Sequence, residues 1–359
     1  MKNNAGDKKK ILVILTGGTI GSRVENTTID VTDSSSYELI SLYRKIYREE
    51  DVFEVICPYT VLSENMSLKI WTDLIHTLYQ VKWEKYQGVI ITHGSDTLAY
   101  TSALVGMLFS HIRIPIVLTA GNYPLGEEGS NGLVNFRSSV ELIRTPGIRG
   151  VFTVYQNRRG ENCVYLATRV TEADSYRDQF SAFGGSAFGK MENGVLKVEK
   201  EEANPSPEEL VKNCEKKIPL TKQCPVFTKE ILMIRPYPGM NYEYIDLSNR
   251  PAAVLHYLYH SSTACTEGEK YSLPVFLKRC REEQIPVYTA SYKSREGLFY
   301  ITAQEILRSG AIPMLNISPE AAYMKLLLLY NISENVTEKT EENLYFEHLP
   351  TLKRTNDFG

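Results

Sequence analysis

The feature that most constrains the fold is an alternation of short apolar runs with longer segments of helical periodicity. Residues 10–15 form a continuous apolar run, and residues 66–85 carry apolar side chains at helical spacing. The pattern continues through the first half of the chain, with strand-like runs at 52–57, 88–92 and 114–119 and helix-like segments at 95–109 and 131–143. Strands that alternate with helices typically form a parallel sheet covered by helices. The sequence therefore predicts an α/β fold.

A change in composition divides the chain into two such series. Between residues 199 and 230 the sequence becomes charged and carries several prolines, and its periodicity fades. The second series has strand-like runs at 231–234, 287–290 and 313–317 and helix-like segments at 252–259, 303–308 and 319–330. A chain of 359 residues is long enough for about two domains. We predict a larger N-terminal domain at 1–200, a linker at 201–229, a smaller C-terminal parallel-sheet domain at 230–332, and a charged, marginally ordered tail at 333–359.

The composition argues against several classes of protein. With 40 basic and 43 acidic residues the formal net charge is -3, so the chain carries no excess positive charge for nucleic acid or anionic membranes. No apolar run approaches the roughly 20 residues of a membrane span, and the first apolar run is too short for a secretory signal. The six cysteines form no C-x-x-C pair. We expect a cytoplasmic protein that binds no metal, nucleic acid or membrane.

The first candidate functional segment is the glycine turn T-G-G-T-I-G at 16–21, which follows the first predicted strand. Two adjacent glycines let the backbone turn sharply and approach a small ligand closely, and Thr19 places a hydroxyl on that turn. Such turns are also common structural devices. The segment matches neither the dinucleotide-binding pattern nor the P-loop, so alone it is weak evidence for a site.

The second candidate segment is T-H-G-S-D-T at 92–97, placed in the same way after the strand at 88–92. Ser95 and Asp96 lie at a predicted helix start, where free backbone N–H groups favour an anion. The same residue types are good N-caps, which is a purely structural interpretation. We interpret His93 as a buried structural histidine, because neighbours along a strand point to opposite faces. Both segments lie at carboxyl ends of strands, where open α/β sheets bind ligands.

Together, the two segments resemble the T-G-G-T-I and H-G-T-D-T signatures of the L-asparaginase/glutaminase family, in the same order. Between them, S-E-N-M at 63–66 is similar to the family's substrate-binding segment, and the residues after Asp96 resemble the cytoplasmic, type I branch. The resemblance implies a two-domain asparaginase-like fold, an amino-acid substrate and no cofactor. It also implies a homodimer or homotetramer, with each site near an interface and completed by the neighbour's second domain.

The resemblance assigns roles to individual residues. Thr19 stands at the position of the threonine nucleophile, and Ser95 at that of a second catalytic threonine. Ser63 and Asp96 match groups that hold the substrate's α-carboxylate and α-amino group, and such clamping positions the reacting amide. The substrate-binding residues implied in this way are Gly18, Ser63, Glu64, Gly94 and Asp96.

Two positions depart from the family pattern. Where the family has a catalytic lysine after a threonine, this chain has Glu172 after Thr171. Where the family's mobile loop presents a tyrosine, the chain has Thr28, and the nearest tyrosine is Tyr37. We count Asp96 and Glu172 among the catalytic candidates, with Glu172 as a base for Ser95, and expect Glu172 and Ser95 to lie within hydrogen-bonding distance. The alternative interpretation of Glu172 is a solvated loop charge.

Two functions are compatible with these residues. One is an amidohydrolase that cleaves the side-chain amide of L-asparagine, or a related small amide, to the acid and ammonia. The other is a catalytically weak relative that binds an amino acid as a sensor or regulatory subunit. Amide hydrolysis needs a nucleophile, a base and an oxyanion stabiliser, and only the nucleophile is evident here. The retention of both hydroxyls and of Asp96 favours the enzyme.

Overall fold

The computed structural model describes residues 9–18, 20, 22–25, 28–31, 33–177, 179–293 and 300–351. The chain forms two compact units, Met1–Pro225 and Val226–Gly359. The division falls inside the linker predicted at 201–229.

The first unit is built around an eight-stranded sheet. Its strands are β1 (Lys10–Leu15), β4 (Phe53–Ile56), β5 (Tyr86–Thr92), β6 (Ile116–Thr119), β7 (Val151–Gln156), β8 (Asn162–Leu166), β9 (Gly189–Glu192) and β10 (Val195–Val198). Their order is β10-β9-β8-β7-β6-β5-β1-β4. The pairs from β4 to β7 are parallel, and those from β7 to β10 are antiparallel. A separate antiparallel pair consists of β2 (Ser22–Glu25) and β3 (Thr28–Val31).

Helices complete the first unit. They are α1 (Asp33–Tyr47), α2 (Leu68–Tyr79), α3 (Leu98–Phe109), α4 (Gly132–Arg144) and α5 (Pro207–Lys216), with 3-10 turns at Ser63–Asn65 and Trp83–Lys85. The apolar face predicted within 66–85 is buried at Trp71, Leu74, Ile75 and Leu78. Helix α3 is buried almost throughout, because it packs on the central strands and exposes little of its surface. Strands β1 and β5 are adjacent and buried, so their carboxyl ends lie side by side.

The linker predicted at 201–229 contains a helix, which the sequence reasoning did not predict. Helix α5 begins with a capping box in which Ser206 accepts from the Glu209 N–H and Glu209 accepts from the Ser206 N–H. Leu210 and Cys214 are buried, and the Cys214 thiol lies 3.2 Å from the Ile112 carbonyl oxygen. The S-x-x-E pattern with proline at the first helical position is a recognisable start signal.

The second unit has a four-stranded parallel sheet, in the order β11-β12-β13-β14. Its strands are β11 (Ile231–Ile234), β12 (Ala253–Tyr257), β13 (Val287–Tyr292) and β14 (Ile312–Leu315). Its helices are α6 (Leu273–Glu282), α7 (Ile301–Arg308), α8 (Pro319–Ile332) and α9 (Val336–Thr340), with a 3-10 turn at Tyr242–Tyr244.

Two predictions for the second unit were wrong. Residues 252–259 were predicted as a helix, but β12 is an interior strand whose residues Ala253–Leu255 are fully buried. A continuous apolar run has no periodicity, so it does not distinguish a strand buried on both faces from a buried helix. The tail at 333–359 was predicted to be marginally ordered, but its described part, residues 333–351, contains helix α9 and Glu347, which forms a buried ion pair with Lys325.

In the described part of the chain, no helix is long and apolar enough to cross a membrane. Within the same residues, no group of three or more His, Cys, Asp or Glu side chains is placed to hold a metal ion.

Candidate functional site

The first signature turn is joined to the segment that precedes Ser63. Gly17 and Gly18 have φ angles of 103° and 77°, in the left-handed region that favours glycine. The Gly18 N–H donates to the Val61 carbonyl at 3.2 Å, and the Val61 N–H donates to the Thr16 carbonyl at 3.1 Å. These two bonds extend the pairing beyond the end of β1 and fix the distance between the turn and Ser63.

Three candidate segments meet without room for another side chain. A Cβ atom built on Gly18 would lie 2.4 Å from the backbone nitrogen of Gly94. A Cβ atom built on Gly94 would lie 2.4 Å from the hydroxyl oxygen of Ser63. Both distances are far inside van der Waals contact, so only glycine fits at either position without movement of the neighbours. The structure thus brings together Gly18, Gly94 and Ser63.

Ser63 is linked to the start of α3 on two sides. Its buried hydroxyl lies 3.5 Å from Oδ2 of Asp96, and its carbonyl accepts from the Thr97 hydroxyl at 2.9 Å. Thr97 is the N-cap of α3, yet its side chain makes no capping bond to the helix. Helix capping therefore does not explain the hydroxyl of Thr97, which instead holds the Ser63 loop against the second signature.

The predicted site residues differ in their exposure to solvent. Asp96 and Glu64 are exposed, and Ser95 is partly exposed. These three side chains are accessible to a ligand at the carboxyl ends of β1 and β5, where the two signature turns meet.

His93 is buried and joins three elements through a chain of hydrogen bonds. The Trp71 indole N–H donates to the Thr101 hydroxyl at 3.0 Å, which leaves that hydroxyl to donate to Nε2 of His93 at 3.0 Å. Nδ1 of His93 then carries the proton and donates to the Gly94 carbonyl at 2.8 Å. Burial lowers the pKa of His93 to about 4, so the ring is neutral at pH 7. As predicted, this histidine is structural, and it orients the Gly94 peptide.

Glu172 contacts a residue that the sequence reasoning did not single out. The Tyr100 hydroxyl donates to Oε1 of Glu172 at 2.5 Å, and the Glu172 side chain is exposed. Tyr100 lies on the first turn of α3, four residues after Asp96, so its place in the sequence already puts it near the end of the helix that follows the second segment. The expected bond between Glu172 and Ser95 stays a prediction.

Several candidates fall outside the described residues. Thr19 is one of them, although its neighbours Gly18 and Ile20 are both buried. Thr28 stands at the position of the family's loop tyrosine, and Tyr37 is the nearest tyrosine to it. The side chains of both residues also lie outside the described part of the chain.

This chain is similar to several known proteins. The profile of the asparaginase N-terminal family matches residues 10–204. The chain is 25% identical over 343 residues to a glutamyl-tRNA(Gln) amidotransferase subunit from Pyrococcus abyssi, and the match covers 92% of this chain and 74% of that protein. It is 27% identical over 240 residues to L-asparaginase 1 of Escherichia coli K12, covering 65% of each.

Solved structures have the same fold. The thermostable L-asparaginase from Thermococcus kodakarensis matches with a TM-score of 0.75 at 22% identity, over 95% of this chain and 100% of that chain. L-asparaginase I from Vibrio cholerae O1 matches with a TM-score of 0.74 at 22% identity, over 95% of this chain and 99% of that one. The predicted α/β fold, with a larger and a smaller sheet, is confirmed.

Proposed function

Because this chain belongs to the asparaginase family, we propose that it is an amidohydrolase that cleaves the side-chain amide of L-asparagine or a related small amide. The observation that carries the proposal is the direct contact of Gly18, Gly94 and Ser63. Three segments far apart in sequence are packed so tightly that two positions accept only glycine. The contact holds one hydroxyl and one carboxylate beside the turn that bears Thr19.

The proposed roles follow from the chemistry of an amino-acid amide. Asp96 is exposed at the start of α3 and supplies a negative charge for the substrate's ammonium group. Ser63 supplies a hydroxyl that donates to the substrate's α-carboxylate. Thr19 attacks the amide carbon, the C–N bond breaks, ammonia leaves, and water then hydrolyses the ester formed on Thr19. Backbone N–H groups of the two turns are the candidates for stabilising the oxyanion.

The test is ammonia release from L-asparagine, D-asparagine, L-glutamine and small β-amides. We expect Thr19→Ala to lower the rate more than about 100-fold, equivalent to about 2.7 kcal/mol in the barrier. The melting temperature should change little, because a turn hydroxyl contributes little to stability. Thr72→Ala, which removes a hydroxyl bonded within helix α2, is the matched control and should keep full activity. Full turnover by Thr19→Ala would remove Thr19 from the mechanism.

A second candidate function is that of a protein that acts only together with a partner protein. The relative from Pyrococcus abyssi is named as an amidotransferase subunit, and the match covers most of this chain. In that case the isolated chain would bind an amino acid but release little ammonia. Light scattering on the purified protein separates the alternatives, since the asparaginase proposal expects a homodimer or homotetramer.

We also propose a cytoplasmic location, on the similarity to a probable cytoplasmic L-asparaginase from Campylobacter jejuni.

A further inference from the structure

We infer that His93 is a positioning residue of the proposed site: its Nδ1 proton fixes the Gly94–Ser95 peptide so that the Ser95 N–H faces the substrate's α-carboxylate. The inference rests on the proposed function, because it concerns how the same site holds its substrate. It also gives a reason for the polar side chains that are buried behind the second signature turn.

The first step concerns the direction of the hydrogen bonds behind that turn. Trp71, Thr101 and His93 are all buried. The Trp71 indole N–H donates to the Thr101 hydroxyl at 3.0 Å, and that hydroxyl lies 3.0 Å from Nε2 of His93. An indole nitrogen can only donate, so the Thr101 hydroxyl accepts from it and gives its own proton to Nε2. Nε2 is therefore an acceptor, and the proton of the neutral ring is on Nδ1.

The second step concerns the peptide at which this chain of bonds ends. Nδ1 of His93 donates to the Gly94 carbonyl at 2.8 Å. The Gly94–Ser95 peptide is trans, so its C=O and N–H groups point in opposite directions. Because the carbonyl is held against the buried ring, the Ser95 N–H points away from the ring. Within the described residues this N–H donates to no acceptor.

The third step places this N–H beside the hydroxyl proposed to bind the α-carboxylate. A Cβ atom built on Gly94 would lie 2.4 Å from the Ser63 hydroxyl oxygen. The Ser95 nitrogen is two bonds from the Gly94 Cα atom, so it lies within about 6.5 Å of that oxygen. Two donors this close can each bind one oxygen of the same carboxylate at hydrogen-bond lengths of about 2.8 Å. The Ser95 N–H therefore complements Ser63 in one carboxylate subsite.

The consequence is that the position of one buried proton controls the affinity for substrate. Without a proton, Nδ1 of His93 would repel the Gly94 carbonyl, the peptide would turn, and the Ser95 N–H would move away from the carboxylate. The α-carboxylate does not react, so it is bound equally in the substrate complex and in the transition state. Loss of such a bond raises KM and leaves kcat unchanged.

The experiment compares replacements that keep or remove the donor of the ring. Asparagine places its amide nitrogen where the ring has Nδ1, whereas glutamine places its amide where the ring has Nε2. We expect His93→Asn to keep KM for L-asparagine within about threefold of the native value, because the donor to the Gly94 carbonyl remains. His93→Gln should raise KM at least about tenfold with little change in kcat, the effect of one lost hydrogen bond to a charged group. His93→Phe, which has no donor, should raise KM in the same way.

Thr153→Val is the matched control for damage to the surroundings of α3. The buried Thr153 hydroxyl donates to Ser102 of α3 at 2.9 Å and takes no part in the chain that ends at Gly94. This variant should lower the melting temperature and keep the native KM. Nitrogen NMR of the native protein with labelled histidine rings checks the tautomer, and His93 should carry its proton on Nδ1.

Four results would overturn the inference while leaving the amidohydrolase proposal intact. They are an equal rise of KM in His93→Asn and His93→Gln, a native KM in both His93→Gln and His93→Phe, a ring proton on Nε2, and a fall in kcat without a rise in KM. The last result would mean that the peptide acts on the reacting atoms.

Absence of ammonia release from every amide would instead defeat the proposed function. Calorimetric titration with L-aspartate, the product, then tests the inference alone. The native protein and His93→Asn should bind L-aspartate at least about tenfold more tightly than His93→Gln does. Equal affinities in the three proteins, or no binding to the native protein, would overturn the inference.

Discussion

At the scale of single residues, two glycines with similar positive φ angles allow the effect of a steric clash to be distinguished from that of backbone strain. Gly18 has a φ of 77° and Gly129 a φ of 82°. A Cβ atom on Gly18 would meet the Gly94 nitrogen at 2.4 Å, whereas one on Gly129 would meet nothing within 4 Å. Alanine at either position carries a left-handed backbone penalty of about 1–2 kcal/mol. Only Gly18→Ala also forces the two signature turns apart.

We therefore expect Gly18→Ala to lower the free energy of unfolding by at least about 1 kcal/mol more than Gly129→Ala does. It should also abolish ammonia release, because the Thr19 turn moves away from Asp96, while Gly129→Ala keeps most of the activity. Urea denaturation and the ammonia assay measure the two effects. Equal losses of stability in both variants would show that the contact between the turns can relax at little cost.

The candidate site was only partly predictable from the sequence. Gly18 and Gly94 follow strands that are adjacent in a parallel sheet, so the rule that ligands bind at carboxyl ends of strands was sufficient to place them together. The bond between Tyr100 and Glu172 joins residues 72 positions apart. It depends on the path of the chain after the antiparallel strands β7 and β8, for which the sequence reasoning made no prediction.

At the scale of elements, local patterns predicted amphipathic helices better than buried strands. Helix α2 was predicted because one of its faces is exposed, which gives a clear period. Strand β12 was mistaken for a helix because it is buried on both faces. Helix α6 was missed, although Leu273, Phe276, Leu277 and Cys280 are buried at helical spacing. Tertiary burial, which sequence periodicity does not report, decided the conformation of β12.

The C-terminal segment depends on one buried ion pair. Lys325 on α8 lies 2.8 Å from Oε1 of Glu347, and both side chains are fully buried. Glu347 also accepts from the backbone N–H groups of Leu344 and Tyr345, at 2.8 and 2.6 Å. Burial alone would raise the pKa of Glu347, but attraction to Lys325 and these bonds hold it below its ordinary value. The carboxylate is therefore ionised, and it orders the chain after α9.

We expect Lys325→Met to lower the free energy of unfolding by about 3–5 kcal/mol, because it leaves a buried carboxylate without its cation. The double variant Lys325→Met/Glu347→Gln should be more stable than Lys325→Met alone, since the second change removes that charge. Chemical denaturation, monitored by circular dichroism, of the native protein and the three variants gives the interaction free energy between the two positions. Additive losses in the double variant would mean that the two side chains act independently.

At the scale of the whole molecule, buried histidines predict a loss of stability in acid. Burial lowers the pKa to about 4 for His93 in the first unit and for His256 in the second. Burial also lowers the pKa of His348. An unfolded histidine titrates near 6.5, so between about pH 4 and 6.5 the unfolded chain binds more protons than the folded chain. The contribution of these histidines to stability is therefore fully present above about pH 6.5 and is lost as the pH falls through that window.

The two units can be followed separately, because both tryptophans of the chain, Trp71 and Trp83, belong to the first unit. Tryptophan fluorescence during urea denaturation therefore reports on the unit that contains His93, whose ring is joined to Trp71 through Thr101.

Each proton taken up on unfolding contributes about 1.4 kcal/mol per pH unit to the slope of stability against pH. We expect His93→Gln to reduce that slope between pH 4 and 6.5 by roughly one proton. His76→Gln removes an exposed histidine of the same unit and should leave the slope unchanged. If His93→Gln and His76→Gln gave the same slope as the native protein, proton uptake by His93 would not be the cause of the acid sensitivity of this unit.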